Sequence, residues 1–414
     1  MDLGVTDLGV TDLGVTGLGV TGLGVTDLGP EFRLFCLALR RPQSADVSRQ
    51  MRGLAAAVGH WDSIVHGARR HRVAHVVLEG LRACGSPHIP ARIVARLQQL
   101  GAATMRRSLA QTAEVGRLSR LFAEAGVRVL VLKGIALATQ LYGEPARRAT
   151  RDIDLLVDRD QFSLAQQVML EAGYRQRLNL QSRPRHSAYL ALIKELEYSH
   201  AATGELVELH HRLTANPNLL SVPFASLWNE REELSPGGSQ VSTLSRHRLP
   251  LYLCVHGADH GWARLHWLID FAAAMQKVED VDAVLAAADE VGLRSTFLHA
   301  LVLAHDWLGL PIENRALDLY RNNAQAKRLR WLLDRLYAST DWYERAPKRE
   351  LRYALWERLY RFSLKPDWRY RADHLKADWF CPADWDSVPL PPALFWLYPL
   401  VRPWGWLVRR LSPS

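Results

Sequence analysis

The chain has few cysteines and no long apolar run, and both absences limit what it can be. Its four cysteines lie far apart, with no Cys-x-x-Cys pair, at Cys36, Cys84, Cys254 and Cys381. This spacing argues against a zinc ribbon and a disulfide framework, and it favours a reducing, cytoplasmic location. The sequence has no run of about eighteen apolar residues and no signal segment of the charged-then-apolar type. We therefore expect no membrane-spanning helix.

The first 29 residues repeat a five-residue unit, Asp/Gly-Leu-Gly-Val-Thr. A β-helix needs several stacked coils, and so short a segment cannot build a stable core. We interpret residues 1–30 as a disordered tail that derives from a translated tandem DNA repeat and carries no function. The whole chain is 48% hydrophobic, which is ordinary for a globular protein of about two or three domains.

The most informative motif is a pair of aspartates in Arg-Asp-Ile-Asp-Leu-Leu-Val at positions 151–157. The apolar run predicts a buried strand, and side chains two apart on a strand share a face, so the carboxylates of Asp152 and Asp154 converge. Burying two like charges side by side is costly unless a cation lies between them. The pair predicts a site for Mg²⁺ or a similar cation next to phosphate groups. The alternative is a solvated strand edge without metal.

Segments on both sides of this strand supply further candidates. Upstream, residues 127–132 predict a strand that ends in Lys133 and Gly134, where a helix begins. Backbone N–H groups at a helix start attract phosphate, and the lysine adds positive charge. Downstream, residues 195–200 and 205–211 predict a β-hairpin that presents Glu208 as a third carboxylate. The alternative for Glu208 is an exposed strand residue.

In this order, the pieces resemble the nucleotidyltransferase fold of the polymerase-β superfamily, which has a glycine turn, a strand with two aspartates and a strand with a glutamate. They look most like a bacterial family of largely uncharacterised nucleotidyltransferases. The likeness extends from about residue 50 to about residue 400. It is carried by Leu-Lys-Gly-Ile-Ala-Leu-Ala-Thr-Gln-Leu-Tyr-Gly-Glu-Pro (132–145), by Arg148, by the aspartate motif, and by Val-Glu-Leu-His-His-Arg-Leu (207–213).

The resemblance implies an activity and a set of site residues. Asp152, Asp154 and Glu208 would bind Mg²⁺ or Mn²⁺ and serve as the catalytic acids. A nucleoside triphosphate would be the substrate, and its nucleoside monophosphate would pass to an unknown acceptor with release of pyrophosphate. The residues that we assign to nucleotide binding are Lys133, Gly134, Arg151, His260 and Arg264. Because the aspartates repel each other, we expect Asp154→Ala to leave the stability of the metal-free protein level or to raise it.

Ile135 stands where the superfamily has a second glycine or serine. This departure keeps open an alternative function, that of a catalytically inactive nucleotide-binding or scaffolding protein with the same fold. The expected fold class is α+β, with a nucleotidyltransferase-type mixed β-sheet core flanked by N-terminal and C-terminal helical regions. The predicted domains are the tail at 1–30, a helical region at 31–126, the core at 127–245 and a second helical region at 246–414.

The segment 253–275 carries a second motif, which contains His256, His260, Arg264, Trp267 and Asp270. His256 and His260 are four apart and would share a helix face, which is also a zinc-ligand spacing. No glutamate completes a His-Glu-x-x-His motif, which weakens the case for a zinc hydrolase. Three interpretations of the histidines remain: zinc ligands of a hydrolase, buried structural residues, or a helix face that lines the nucleotide cleft. Arg264 would either meet phosphate or pair with Asp270.

Almost all the excess positive charge lies between Arg321 and Lys376, with fifteen Lys/Arg against seven Asp/Glu, whereas the chain totals +9. Nine tryptophans and tyrosines are interleaved with this charge. Such a mixture suits binding to RNA or to an anionic membrane surface, and in the second case the protein would be membrane-peripheral. The alternative is a solvated helical surface whose aromatic side chains face the core. The aromatic, proline-containing segment 390–408 would dock on a bilayer or a protein, or pack on this chain's own core.

Overall fold

A computed structural model of the protein describes residues 28–177, 190–344, 351–380, 390–391, 394 and 397–411. Residues 1–27 of the repeat lie outside the described residues, as do Cys381 and most of the segment 381–396. The last part of the predicted tail belongs to the first helix, which begins at Gly29 and has Pro30 in its first turn. Proline is favoured there because its missing N–H has no partner within the helix.

Before the first strand, the described residues form helices α1 (Gly29–Leu39), α2 (Ala45–Ala55), α3 (Trp61–Arg70), α4 (Ala74–Cys84) and α5 (Ala91–Glu124). Helix α4 ends at Gly85, whose φ of 61° lies in the left-handed region that favours glycine. Helix α5 is 34 residues long. It joins the two apolar stretches that predicted helical structure at 93–100 and 109–125, because no proline interrupts the chain between them.

The central sheet has five strands among the described residues, in the order β1-β2-β5-β4-β3. In chain order they are β1 (Val129–Val131), β2 (Ile153–Val157), β3 (Tyr174–Gln176), β4 (Glu195–His200) and β5 (Leu206–His210). Strands β2 and β5 pair in parallel and the other neighbours pair antiparallel. Helix α6 (Gly134–Tyr142) connects β1 to β2, and α7 (Phe162–Glu171) connects β2 to β3. The mixed sheet confirms the predicted α+β class.

The two faces of β2 pack against different parts of the molecule. Ile153, Leu155 and Val157 belong to one apolar cluster, together with residues of α5 and α7. Leu156 points to the opposite face and belongs to a larger cluster formed mainly by helices. This second face also carries Asp154, because side chains alternate along a strand. The strand is therefore buried on both sides, and its polar residue lies where the sheet meets the helical part of the chain.

After β5, helix α8 (Phe224–Asn229) leads to a two-stranded hairpin of β6 (Glu232–Leu234) and β7 (Val241–Thr243). The Thr243 hydroxyl donates a 2.6 Å hydrogen bond to the carbonyl of Val131, which ties the hairpin to the sheet. The helices that follow are α9 (Leu249–Asp259), α10 (Leu265–Met275), α11 (Val281–Glu290), α12 (Arg294–Leu308), α13 (Asn314–Arg321), α14 (Ala324–Ala338), α15 (Leu351–Phe362), α16 (Trp368–Trp379) and α17 (Tyr398–Leu411).

No described strand follows Thr243, so the C-terminal part of the described chain is helical, as the sequence indicated. The exact domain boundaries stay predictions. Among the described helices, none combines the length and the apolar composition that crossing a bilayer requires.

The segment 253–275 forms two helices joined by a corner, not one continuous helix. Trp262, at the corner, has a φ of 50° and is fully buried. Its carbonyl accepts a 2.6 Å hydrogen bond from the Tyr337 hydroxyl. Gly257, on α9, allows the indole to lie against the helix backbone, because a Cβ atom there would be 2.1 Å from the ring. A residue without a side chain is therefore required at position 257 for this packing.

We expect Gly257→Ala to lower the free energy of unfolding by about 1–3 kcal/mol or more, because overpacking forces the indole or the helix to move. Gly53→Ala is the matched control, since Gly53 lies in α2 with nothing within 4 Å of its Cβ position. That change should raise stability by about 0.5–1 kcal/mol through helix propensity. Chemical denaturation measures both variants, and equal effects would contradict the packing role of Gly257.

Candidate metal and nucleotide site

Three metal-ligating side chains meet where β2 and β5 run side by side. Asp154 is the direct register partner of Glu208 across the parallel pair. His210 lies two residues beyond Glu208 on the same face of β5. One ligand atom from each of the three residues lies within 4.8 Å of the others. The structure therefore brings together two of the predicted acids, Asp154 and Glu208, and adds a histidine that the sequence analysis had not assigned.

Lys133 is the charge partner of Asp154. Its ammonium nitrogen lies 2.8 Å from Asp154 Oδ1, and both side chains are almost fully buried. Burial alone would raise the pKa of Asp154, but the ammonium and the nearby imidazole of His210 outweigh it and hold this pKa well below its usual range. Asp154 is therefore a stable carboxylate in the folded protein.

For Asp152 and Glu208, in contrast to Asp154, the folded protein raises the pKa. Burial raises the pKa of Asp152, and the negative charge of Asp154 raises it further. Burial also raises the pKa of Glu208, with Asp154 acting in the same direction and His210 opposing it. Both groups therefore carry a negative charge that the metal-free protein does not fully compensate, and they attract either a cation or a proton.

His210 is held among carboxylates from three strands. Its Nε2 lies 3.3 Å from Asp154 Oδ1 and 3.4 Å from Glu208 Oε2, and its Nδ1 lies 3.4 Å from Glu195 Oε2. Glu195, its register partner on β4, forms a 3.1 Å ion pair with Lys194. Burial lowers the pKa of His210, but the surrounding carboxylates outweigh it and raise this pKa above its ordinary value.

The donor set fits a divalent cation. The contacts of Asp154 Oδ1 and of both His210 ring nitrogens are charge contacts, and none of these buried atoms completes a hydrogen bond within the described part of the chain. Two carboxylates and one imidazole suit Mn²⁺ or Zn²⁺, while carboxylates alone suit Mg²⁺. The predicted roles of Asp152, Asp154 and Glu208 as metal ligands and catalytic acids stay predictions.

The glycine turn is present without a second glycine. Gly134 opens α6 with a φ of 60°, and a Cβ there would be 3.2 Å from Thr150 Oγ1, just ahead of the aspartate strand. Ile135, in the position of the missing residue, is 1% exposed and packs in the core beneath the sheet. The first N–H groups of α6 donate no hydrogen bond to a side chain of the N-cap residue. The predicted phosphate-binding roles of Lys133 and Gly134 remain predictions.

The three other predicted nucleotide-binding residues lie on segments outside the turn at Lys133 and Gly134. Arg151 is exposed, and its charge lowers the pKa of neighbouring Asp152. His260 ends α9 and stacks on Trp267, with ring centroids 5.0 Å apart. Arg264 begins α10 with its guanidinium 5.8 Å from the centre of the same indole. Their part in nucleotide binding stays a prediction.

Helix α9 faces the acid cluster with buried polar groups. Its Tyr252 is within electrostatic reach of Asp154 and Glu208, and burial raises the pKa of this tyrosine. His256 lies one turn further along, near Lys133, and its ring packs against those of His260 and Trp267. Among the described residues, the group arranged to hold a metal ion is Asp154, Glu208 and His210, and it does not include His256 or His260. The structure therefore gives no support to a zinc hydrolase that uses these two histidines.

Asp270 pairs with a different arginine from the one that the sequence suggested. Its carboxylate accepts 2.8 Å hydrogen bonds from Arg148 Nε and from the Tyr142 hydroxyl. The Arg148–Asp270 pair is almost fully buried. It ties α10 to the loop that leads into the aspartate strand.

The basic segment 321–376 is partly a packed helical region. Trp342, Tyr360 and Tyr370 are buried, whereas Trp331 and Trp368 are 41% and 72% exposed. Some of its arginines form internal ion pairs, among them Arg361 with Asp259. Binding of RNA or of an anionic membrane through this segment stays a prediction, and Trp331 and Trp368 are the exposed aromatics available for it.

Comparison with protein families decides the family of this chain. The model of the uncharacterised nucleotidyltransferase family matches residues 58–309, which is more than half of the 414 residues. The chain belongs to this family. No curated protein and no solved structure gave a significant match. The family match includes the five-stranded sheet, the acid cluster and the corner with His260 and Arg264, and it ends before the basic segment 321–376.

Proposed function

We propose that this protein is a metal-dependent nucleotidyltransferase that transfers a nucleoside monophosphate from a nucleoside triphosphate to an acceptor. The observation that carries the proposal is the pairing of Asp154 with Glu208 across parallel strands, beside the turn at Lys133 and Gly134. Membership of the nucleotidyltransferase family supports the reaction class. A cytoplasmic location is part of the proposal and rests on the scarcity of cysteine.

Asp152, Asp154 and Glu208 would hold Mg²⁺ or Mn²⁺, with His210 close enough to act as a further ligand. A bound divalent cation neutralises triphosphate charge and lowers the pKa of an acceptor hydroxyl. If the imidazole of His210 ligates directly, Mn²⁺ is preferred over Mg²⁺, because Mg²⁺ selects oxygen ligands.

Other groups of the chain would bind the phosphates and accept the proton. The N–H groups at the start of α6 and the ammonium of Lys133 hold the phosphates. The acceptor oxygen forms a bond to the α-phosphorus, the bond from that phosphorus to the bridging oxygen breaks, and pyrophosphate leaves. Glu208 either completes the metal site or, where it does not ligate the cation, accepts the proton of the acceptor hydroxyl, a role that suits its raised pKa.

The test is incubation of the purified protein with labelled nucleoside triphosphates, Mg²⁺ or Mn²⁺ and a bacterial lysate. Label in the α-phosphate should appear on an acceptor, and label in the γ-phosphate should not. Glu208→Gln should reduce transfer to background. Glu171→Gln, an exposed change on α7, is the matched control and should transfer normally. Nucleotide binding without any transfer would instead support the inactive, scaffolding alternative.

A further inference from the structure

A cavity of about 130 Å³ lies beside the loop that leads into the aspartate strand. Its walls come from the start of α4, the C-terminal end of α6, the loop 147–149 and α10. The acids Asp154 and Glu208 are not among its lining residues. It is therefore a separate compartment next to the site described above.

One of the arginines that line the cavity has no hydrogen-bond or ion-pair partner among the described residues. Of its four arginines, Arg41 pairs with Glu79 at 3.3 Å, Arg147 with Glu144 at 3.5 Å and Arg148 with Asp270 at 2.8 Å. The fourth, Arg72, is half-buried, and its guanidinium has no hydrogen-bond or ion-pair partner in the described part of the chain. A guanidinium that is partly removed from water without an acceptor is costly, and an anion would relieve that cost.

The surroundings of Arg72 increase this cost. Burial lowers the pKa of Arg72 to about 10, the positive charges of Arg264, Arg148 and Arg151 act in the same direction, and the negative charge of Asp152 acts against them. The apolar side chains of Val73, Val76 and Ile269 line the same cavity. They exclude water, which strengthens the attraction between a bound anion and the guanidinium.

The backbone of Arg72 is also in an unfavourable conformation. Its φ is 59°, in the left-handed region that helix ends usually fill with glycine. It follows α3, and the next residue, Val73, donates a backbone hydrogen bond to Ala68, as in a glycine-type helix end. A strained arginine in place of glycine is a reason to look for a role of its side chain.

The position of the cavity indicates which substrate it serves. Arg72 lies within electrostatic reach of Asp152, so this wall of the cavity is near one of the predicted acids. Tyr142, at the C-terminal end of α6, lines the cavity, whereas the phosphate turn at Gly134 is at the opposite end of this nine-residue helix. The two ends are about 13 Å apart. A transfer reaction needs two substrates, and the turn already provides for the nucleotide.

We propose that this cavity binds a phosphate group of the acceptor, held by the guanidinium of Arg72. The proposal rests on the proposed nucleotidyltransferase function and extends it, because it makes the acceptor a phosphorylated molecule. Arginine suits this task, since its planar fork donates two parallel hydrogen bonds to a phosphate.

The experiment uses inorganic phosphate as the probe and isothermal titration calorimetry of the full chain without metal. Arg72→Gly should weaken phosphate binding about tenfold or more, because it removes a charge-assisted bidentate contact. The same change should leave the thermal midpoint level or raise it, since glycine relieves the positive φ. Arg82→Ala, an exposed change on α4 outside the cavity, is the matched control and should bind phosphate like the unaltered protein.

The proposal would be overturned if the unaltered protein showed no saturable phosphate binding or if Arg72→Gly bound phosphate with unchanged affinity. A lower thermal midpoint in both Arg72→Gly and Arg72→Asn would also overturn it. Asparagine serves as the second variant because it tolerates the left-handed region. Binding of a nucleoside triphosphate with Mn²⁺ identifies the source of the phosphate. It should survive in Arg72→Gly, and its loss would assign the cavity to the nucleotide and overturn the acceptor site. Glu208→Gln separates the two proposals, because it should abolish transfer and retain phosphate binding.

Discussion

Asp154→Asn is expected to abolish nucleotide transfer and to destabilise the metal-free protein by about 3–5 kcal/mol. The loss of stability follows from the 2.8 Å contact with Lys133, because asparagine leaves a buried ammonium without its counter-charge. The linkage between proton binding and folding also predicts a loss of stability. The pKa of Asp154 is lower in the folded protein than in the unfolded chain, so its ionisation stabilises the fold at neutral pH.

Asp152→Asn, two residues away, should have the opposite effect on stability. The folded protein raises the pKa of Asp152, so its negative charge opposes folding at neutral pH. Removing that charge should leave the free energy of unfolding level or raise it, while transfer is lost as in Asp154→Asn. The two variants together separate a metal-ligand role, which they share, from the ion pair with Lys133, which only Asp154 makes.

Denaturation curves at neutral pH in the presence of a chelator measure both changes, and the transfer assay measures activity. Equal stability of the two variants would contradict the assigned ion pair. Full activity in Asp152→Asn would remove that residue from the metal site and leave Asp154, Glu208 and His210 as the candidate ligands.

The sequence alone predicted the sheet and two of the three clustered ligands. Alternation along a strand and the family resemblance were enough to bring Asp154 and Glu208 to one face. The same alternation could have identified His210, since it is two residues beyond Glu208 in the quoted motif. His210 was left unassigned because the resemblance names only carboxylates as ligands. The register with β4, in which Glu195 is opposite His210, could not be predicted from the local pattern.

Long-range contacts could not be predicted from local patterns. Repulsion between the aspartates suggested that removing Asp154 would leave the stability of the metal-free protein level or raise it. The structure instead places Lys133 against Asp154, so that expectation is reversed. Arg72 is a similar case. It lies 80 residues before Asp152 in the printed sequence, and only the packing of α3 and α4 against the core brings its charge near.

Asp270→Ala should lower the free energy of unfolding by about 3–5 kcal/mol, because it leaves a buried cation unpaired. Arg148 would lose its 2.8 Å partner, and the Tyr142 hydroxyl would lose its acceptor. The pair connects α10 to the loop that precedes Asp152, so activity should fall together with stability. Asp289→Ala removes the exposed ion pair with Arg294 and is the matched control, with an expected cost of about 0–1 kcal/mol.

A double variant shows whether the cost comes from the unpaired charge or from lost packing. Arg148→Met combined with Asp270→Leu replaces both charges with apolar side chains, and such replacements of buried pairs are often neutral or stabilising. We expect the double variant to be more stable than Asp270→Ala, as measured by the urea midpoint. If it were no more stable, the contribution of Asp270 would lie in its shape or in the Tyr142 hydrogen bond. The charge pair would then not be what holds α10 against the loop before the aspartate strand.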